Sequence, residues 1–174
     1  MREYILARDK YKPHGRVKIL LIAESPPYCG GYFYSDQTAG ADSLFRETMK
    51  ALGIFPENKK MPTGLDKRPC LKEFQSRGFF VVDVSYKPVN KLKPMERRRA
   101  IIEGIPRLVA DTRELDPESI LIVKSNIFAP VRDAIEEAGL DKRIRNEEAL
   151  PFPSHGHQKT YRRKLRELTN WHAR

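Results

Sequence analysis

Three short apolar runs along the chain predict buried β-strands. They cover residues 17–23, 79–84 and 120–123, and each is nearly free of polar residues, as strands buried on both faces are. A weaker fourth strand is predicted just before Leu150. Between these runs the apolar residues recur at helical spacing, which predicts that helices connect the strands.

Strands that alternate with helices favour a mostly parallel sheet covered on both faces. We therefore expect an α/β fold with three layers, α/β/α, around a central four-stranded sheet, formed as a single domain over residues 1–174. Ligands of such sheets bind at the carboxyl ends of the strands. The candidate site is thus expected among the loops that follow Ala23, Asp83, Val123 and Leu150.

Composition and missing motifs exclude several classes of protein. The two cysteines, Cys29 and Cys70, are too few for a disulfide framework or a four-thiolate cluster. There is no G-x-G-x-x-G, Walker, G-x-S-x-G or H-E-x-x-H motif. The apolar runs are too short to span a bilayer, and the charged N-terminus does not resemble a signal peptide. We expect a cytoplasmic monomer with no membrane partner, no cofactor and no metal.

Positive charge is concentrated in two segments of the chain. The formal net charge is +10, and residues 87–99 and 155–174 each carry six Lys or Arg against one Glu, a net of +5 apiece. Clustered cations favour a polyanionic partner, because neutralised phosphates release their counterions. The alternative is a solvated face that keeps the protein in solution.

Two loop motifs stand where the site is expected. The first strand leads into Ala23-Glu24-Ser25-Pro26-Pro27, and a late loop, Phe152-Pro153-Ser154-His155, leads into a basic helix. In this order they resemble the two motifs of the uracil-DNA glycosylase superfamily. The first family motif is of the type Gly-Glu-Ala-Pro-Gly, Gly-Gln-Asp-Pro-Tyr or Gly-Ile-Asn-Pro-Gly, and the second is His-Pro-Ser-Pro or Met-Pro-Ser. The resemblance covers the order of elements over most of the chain.

The resemblance implies a monofunctional DNA glycosylase. Such an enzyme flips a damaged base, uracil or another deaminated base, out of the stack and hydrolyses its N-glycosidic bond. Glu24 matches the acidic position of the family's iron–sulfur branch, and Ser25 matches the Asp or Asn that positions water in other branches. A carboxylate at a strand end can accept a proton from water or stabilise an oxocarbenium-like sugar. The alternative role for Glu24 is a salt bridge or a helix cap.

The flipped base needs contacts in the site. Phe33 or Tyr34 in the first loop could stack on it, or these rings could pack against the sheet instead. Asp83 stands where the family has a base-reading Asn. An ionised Asp can only accept hydrogen bonds, which puts uracil selectivity in doubt, whereas burial could keep it protonated as a donor. Asp83 could also simply cap the next segment.

The second motif also departs from the family. Phe152 replaces the leaving-group His, for which another branch has Met, and His155 is a candidate for hydrogen bonding to the departing base unless it simply faces solvent. Backbone N–H groups before the last helix could hold a phosphate. Cations along that helix would then position the DNA backbone without reading its sequence. The predicted backbone contacts are Pro153, Ser154, His157, Lys159, Arg162 and Arg163.

Two alternatives to a glycosylase remain open from the sequence. The replacements at Asp83 and Phe152 motivate a non-catalytic nucleic-acid-binding protein of the same fold. An enzyme that acts on free nucleosides, or on another small anion, is the other. The nucleic acid itself is expected to be DNA, with single-stranded DNA included.

Overall fold

The computed structural model describes residues 2–29 and 31–170. Within them, the strands are β1 (Ile19–Ala23), β2 (Phe79–Asp83) and β3 (Ser119–Ile122). The α-helices are α1 (Arg2–Asp9), α2 (Ser43–Ala51), α3 (Arg68–Ser76), α4 (Pro94–Leu115), α5 (Ser125–Glu137) and α6 (Gln158–Thr169), with a short 3-10 helix at Asp141–Arg143. None of the helices described is both long and apolar enough to cross a membrane.

The three strands form one parallel sheet in the order β2-β1-β3. Ala23 at the end of β1 lies opposite Asp83 at the end of β2, so these two carboxyl ends are in register. Every residue of β2, and every residue of β1 after Ile19, is buried. The predicted α/β class and the three apolar strands are therefore confirmed, because continuous apolar runs can be satisfied only where both faces of the sheet are covered.

The prediction of a four-stranded sheet was wrong. Residues 144–150 run beside β3 but join it only by a single parallel bridge at each end. Between the bridges, the side chain of Asn146 forms hydrogen bonds that the backbone of a regular paired strand would otherwise form. Its Oδ1 accepts from the Ile122 N–H at 3.0 Å and its Nδ2 donates to the Ile122 carbonyl at 2.9 Å. The segment therefore satisfies the edge of β3 without adopting regular strand geometry.

Helices lie on both faces of the sheet. The connection from β1 to β2 carries α2 and α3, and the connection from β2 to β3 carries α4 and crosses the sheet in the opposite direction. Right-handed crossovers in opposite directions place their helices on opposite faces. In agreement with this, α2 packs against α6, and α4 packs against α5.

Gly104 fixes how closely α4 approaches the sheet. A Cβ added at this glycine would lie 2.1 Å from the carbonyl oxygen of Val84, just after β2. Any side chain here would push the helix away from the strand end. The glycine therefore lets α4, which carries Arg97 nearer its start, lie close against the end of β2.

Phe33 and Tyr34 belong to the core. The Phe33 ring lies 5.6 Å from that of Phe45 and 5.4 Å from that of Phe74, measured between centroids. The Tyr34 hydroxyl accepts from the Val81 N–H at 2.7 Å and donates to the Val81 carbonyl at 3.3 Å. It thus satisfies the open edge of β2, which would otherwise present unpaired backbone groups. Of the two roles expected for these rings, packing against the sheet is the one observed, and neither ring face is open to a base.

Candidate functional site

Loops from across the sheet meet at Glu24. This residue follows β1, Lys124 follows β3, and Arg97 lies in the first turn of the helix that follows β2. Lys124 also contacts the late loop, because its Nζ lies 5.4 Å from the centroid of the Phe152 ring. The two sequence motifs, headed by Glu24 and Phe152, therefore converge at the same edge of the sheet.

Glu24 is buried among three donors, with 6% of its surface exposed. Arg97 binds both carboxylate oxygens, from Nε to Oε1 at 2.6 Å and from Nη2 to Oε2 at 2.5 Å. Lys124 Nζ lies 2.5 Å from Oε2, and Asn126 Nδ2 donates to Oε1 at 2.5 Å. We call these four residues the Glu24 centre.

The surroundings keep Glu24 ionised. Burial raises the pKa of its carboxyl, but the hydrogen bonds from Arg97, Lys124 and Asn126 outweigh burial and leave the pKa lowered. Each carboxylate oxygen already accepts two hydrogen bonds, which fills the sites a carboxylate offers. To accept a proton from water, Glu24 would first have to release one of these donors. The salt bridge considered as its alternative role is present.

The backbone of Lys124 is strained at the point where its ammonium group reaches Glu24. Its φ of 87° and ψ of 130° fall in the half of conformational space that favours glycine. Such conformations cost about 1–3 kcal/mol and persist only where the surrounding structure imposes them, often at functional sites. Here the strained residue lies between the end of β3 and the start of α5, and it directs an ammonium group at Glu24.

Asp83 is a second buried carboxyl at this edge, with 5% of its surface exposed. Within residues 2–29 and 31–170, its carboxyl group takes part in no hydrogen bond. Burial raises its pKa to about 7, helped by the charge of Glu24 and opposed by Arg107 and Arg8. A carboxyl group that titrates near neutrality can both donate and accept, and such groups concentrate at functional sites.

The cations beside Asp83 belong to a network between α1 and α4. Arg107 lies over the Tyr86 ring, 3.7 Å from its centroid, and donates to the Asp83 and Val84 carbonyls at 3.2 and 2.8 Å. Its Nε is buried and has no hydrogen-bond partner among the described residues. Arg8 donates to the Tyr86 hydroxyl and also contacts Asp111. Two guanidinium groups therefore offset the burial of Asp83 without binding its carboxyl.

Ser25 joins two of the loops at the site. It is half-buried, and its hydroxyl accepts from the Val89 N–H at 3.4 Å. This contact draws the loop after β2 against the loop after β1. In this structure, Ser25 therefore connects two loops of the candidate site.

The exposed aromatic ring at the site is Tyr28, which sequence reasoning missed. It is 60% exposed, its N–H donates to Asn90 Oδ1 at 3.0 Å, and Lys91 Nζ lies 3.9 Å from the centre of its ring. The signal available in the sequence was its place directly after the two prolines of the first motif. Prolines cannot continue a central strand, so the residue that follows them lies in a loop at the ligand-binding end of the sheet.

The late loop presents its two histidines to solvent. His155 and His157 are exposed, Ser154 is half-buried, and Pro153 is buried. His155 has a φ of 48°, and its Nδ1 lies 2.9 Å from the Ser154 hydroxyl. The alternative interpretation of His155, a side chain that faces solvent, agrees with this exposure.

The cations of α6 are mostly neutralised. Arg162 pairs with Glu47 and Glu57, Arg163 with Glu167, Lys164 with Glu148, and Arg166 with Glu57. Lys159 is exposed and has no ion pair among the described residues. Arg162, predicted to contact the DNA backbone, is instead a largely buried link between α6 and α2, with 13% of its side chain exposed.

The other basic segment keeps its charge free. Five of its cations are exposed, and none of the five forms an ion pair within the part of the chain that the structure describes. Its single acid, Glu96, accepts from the Lys93 backbone N–H at 3.3 Å. Three of them precede α4 and two lie near its start, and we call the five together the cationic loop: Lys87, Lys91, Lys93, Arg98 and Arg99.

Sequence reasoning also missed the partners of Glu24. The sequence pattern places Arg97 only in a charge run, and it does not mark Lys124 or Asn126 as site residues. The signal was that Lys124-Ser125-Asn126 follows directly after the third buried strand, where polar side chains reach the ligand-binding edge of a parallel sheet.

Comparison with known proteins adds no assignment to this site. No family model matches the chain, and no curated protein matches its sequence. Over residues 2–29 and 31–170, no three His, Cys, Asp or Glu side chains are grouped as a metal site would require. The features of the chain that bear on function are therefore the Glu24 centre, Asp83, Tyr28 and the cationic loop.

Proposed function

We propose that this protein binds nucleic acid, with phosphates on the cationic loop and a base at the strand-end site beside the Glu24 centre. The observation that carries the proposal is the set of five exposed cations next to that site, which form no ion pair with any residue the structure describes. Free cations gain most from a polyanion, because each neutralised phosphate releases counterions. The resemblance of the two loop motifs to the uracil-DNA glycosylase superfamily supports the same partner.

The groups at the strand end suit a nucleobase. Bases present closely spaced donors and acceptors along their edges, and they are recognised through hydrogen bonds after they leave the stack. Asp83, when protonated, offers one donor and one acceptor, as an amide does. The Glu24 centre supplies N–H donors from Lys124 and Arg97, with a net charge of +1 for two cations and one carboxylate.

Salt-dependent binding tests the proposal. Labelled oligonucleotides are titrated by fluorescence anisotropy over a range of salt, with Lys91→Ala/Arg98→Ala as the variant. We expect weaker binding and a slope of log K against log salt reduced by about 1.4–1.8, for two lost phosphate contacts. The matched control is Arg132→Ala/Arg163→Ala, which removes two exposed cations that each pair with a Glu four residues on.

The control should leave the slope nearly unchanged. Equal losses in the two double variants would contradict the assignment of the phosphates to the cationic loop. Absence of binding to any nucleic acid at low salt, together with turnover of free nucleosides, would replace the proposal by the small-molecule alternative.

Hydrolysis of an N-glycosidic bond is the second candidate, favoured by the Asp83 carboxyl, which accepts no hydrogen bond from the described part of the chain. In that reaction, water attacks the sugar's anomeric carbon, the C–N bond breaks with its electron pair going to the base, and a carboxylate accepts the proton from water. A general base works best with a pKa near the operating pH. Asp83, with a pKa of about 7, meets that condition, whereas the hydrogen-bonded Glu24 carboxylate has its pKa lowered.

The glycosylase candidate is tested on oligonucleotides that contain uracil, hypoxanthine or a mismatched thymine, followed by alkali cleavage. Abasic product that is lost in Asp83→Asn, with nucleic-acid binding retained, would support it. Product that survives in Asp83→Asn but disappears in Glu24→Gln would return the role to Glu24. No product on any single- or double-stranded substrate would remove hydrolysis and leave the binding function.

A further inference from the structure

Exposed apolar side chains cluster on the cationic surface. Five large hydrophobic residues of the described chain are well exposed, and three of them, Tyr28, Leu92 and Met95, lie in or against residues 87–99. Their exposed fractions are 60%, 40% and 77%. Residues 90–96 are all exposed, so the apolar side chains alternate with Lys91 and Lys93 along one continuous stretch.

Tyr28 is held in a fixed position at the edge of this surface. Its backbone N–H donates to Asn90 Oδ1 at 3.0 Å, and the Lys91 ammonium lies 3.9 Å from its ring centre. The loop beneath it is joined to residue 25 through the Val89 N–H. A ring that is fixed by its neighbours and still mostly exposed can stack on a flat ligand without losing side-chain freedom.

Of the two basic segments, the one beside these apolar residues is not neutralised by acids in the described chain. Over residues 2–29 and 31–170 the cationic loop forms no ion pair, whereas Arg162, Arg163, Lys164 and Arg166 on α6 are held by acids. A duplex presents phosphates on two backbones, one on each side of a groove, and its bases are stacked on one another. A single strand presents one backbone and unpaired bases, which matches one cationic stretch interleaved with apolar side chains.

We infer that the surface formed by Tyr28, Leu92, Met95 and the cationic loop binds single-stranded nucleic acid in preference to a duplex. Tyr28 stacks on one base, and Leu92 and Met95 contact neighbouring bases. The cationic loop binds the phosphates between them. This inference rests on the proposed function and names its partner, and it makes the surface the platform that delivers a base to the strand-end site.

The experiment compares a single-stranded 12-mer with the duplex of the same sequence, by anisotropy and by the fluorescence of 2-aminopurine placed in the strand. The wild-type protein should bind the single strand about tenfold more tightly or better at equal salt. Tyr28→Ala should lose at least about fivefold in single-strand affinity. It should also change the 2-aminopurine signal, whereas Tyr28→Phe retains both.

Matched variants distinguish a specific role of this surface from the general effect of removing an exposed apolar side chain. Met95→Ala should weaken single-strand binding, while Leu6→Ala, which removes a 56% exposed side chain on α1, should not. Circular dichroism verifies that each variant is folded. Equal affinity for the duplex with no effect of Tyr28→Ala would overturn the inference but leave nucleic-acid binding in place. Tighter binding to anionic lipid vesicles, lost in Met95→Ala, would overturn it in favour of a membrane surface, and failure to bind any oligonucleotide would overturn the proposed function itself.

Discussion

Arg97 and Glu24 form a two-pronged ion pair across 73 residues of sequence, with Nε to Oε1 at 2.6 Å and Nη2 to Oε2 at 2.5 Å. The pair joins the first turn of α4 to the end of β1. Lys124 and Asn126 complete the shell from the third strand end. The Glu24 centre is therefore both a candidate site and a clamp that holds three connections together.

Removal of Arg97 should destabilise the fold through the charge it leaves behind. Arg97→Ala is expected to lower the free energy of unfolding by about 1.5–3 kcal/mol, the usual effect of losing hydrogen bonds to a buried charged group. Because the loss arises from Glu24, the double variant Arg97→Ala/Glu24→Gln should lose less than the sum of the single variants. Urea unfolding of the four proteins measures this coupling, and strictly additive losses would contradict it.

The strain at Lys124 predicts an unusual order of stabilities. Lys124→Gly and Lys124→Ala both remove the ammonium group, but only glycine adopts the observed φ of 87° without a steric penalty. We expect the glycine variant to be about 1 kcal/mol more stable than the alanine variant. Thermal unfolding checks this order. An alanine variant that is equally or more stable would show that the backbone relaxes once the ion pair with Glu24 is gone.

Asp83 should make stability fall as the pH rises towards neutrality. Its pKa is raised on folding, from 3.8 to about 7, so the folded state binds the proton more tightly than the unfolded state. Between these values the unfolded chain ionises first, and folding loses stability with each pH step. Below about pH 4 both states hold the proton, and above pH 7 the penalty is constant.

Asp83→Asn removes that titration. Relative to the wild type, the variant should gain stability from pH 4.5 to pH 8, measured by urea unfolding at several pH values. Arg107, Arg8 and Glu24 are the charged groups that set the shift, and all three remain in the variant. A difference between the two proteins that does not vary with pH would refute the raised pKa.

Tyr34 should matter for stability and not for binding. Tyr34→Phe leaves the buried N–H of Val81 without its acceptor, which is expected to cost about 1–3 kcal/mol of unfolding free energy. Tyr28→Phe is the matched control, since its ring is exposed and its hydroxyl forms no hydrogen bond with the residues described. Thermal unfolding and oligonucleotide binding, measured on both variants, separate the roles. Unchanged stability in Tyr34→Phe would contradict the role of its hydroxyl at the edge of β2.

The strands could be predicted because burial on both faces leaves a direct mark on the sequence. The runs at 79–84 and 120–123 contain almost nothing but apolar residues, and each overlaps a strand of the sheet. The prediction of a fourth strand failed for a reason that the local sequence pattern does not show. Whether Asn146 points to solvent or inserts its amide against Ile122 depends on what lies beside it.

The site could be located but not assembled from the sequence. The prolines after Glu24 marked the end of the first strand as a rigid loop. Its partners Arg97, Lys124 and Asn126 lie 73, 100 and 102 residues away. Contacts over that separation are set by strand order and by the close approach of α4 at Gly104.

By itself, the sequence determined the α/β class, the edge of the sheet where the candidate site is expected, and the two segments that hold the excess positive charge. Only the tertiary structure decided which of those segments is free to meet a polyanion. The segments have equal net charge, but α6 packs beside Glu47, Glu57 and Glu148, whereas in residues 87–99 Arg97 alone is held by an acid, Glu24, and the cationic loop forms no ion pair in the described chain. The sequence gives the number of charges in each segment, but ion pairs depend on distances between side chains that are set only when the chain folds.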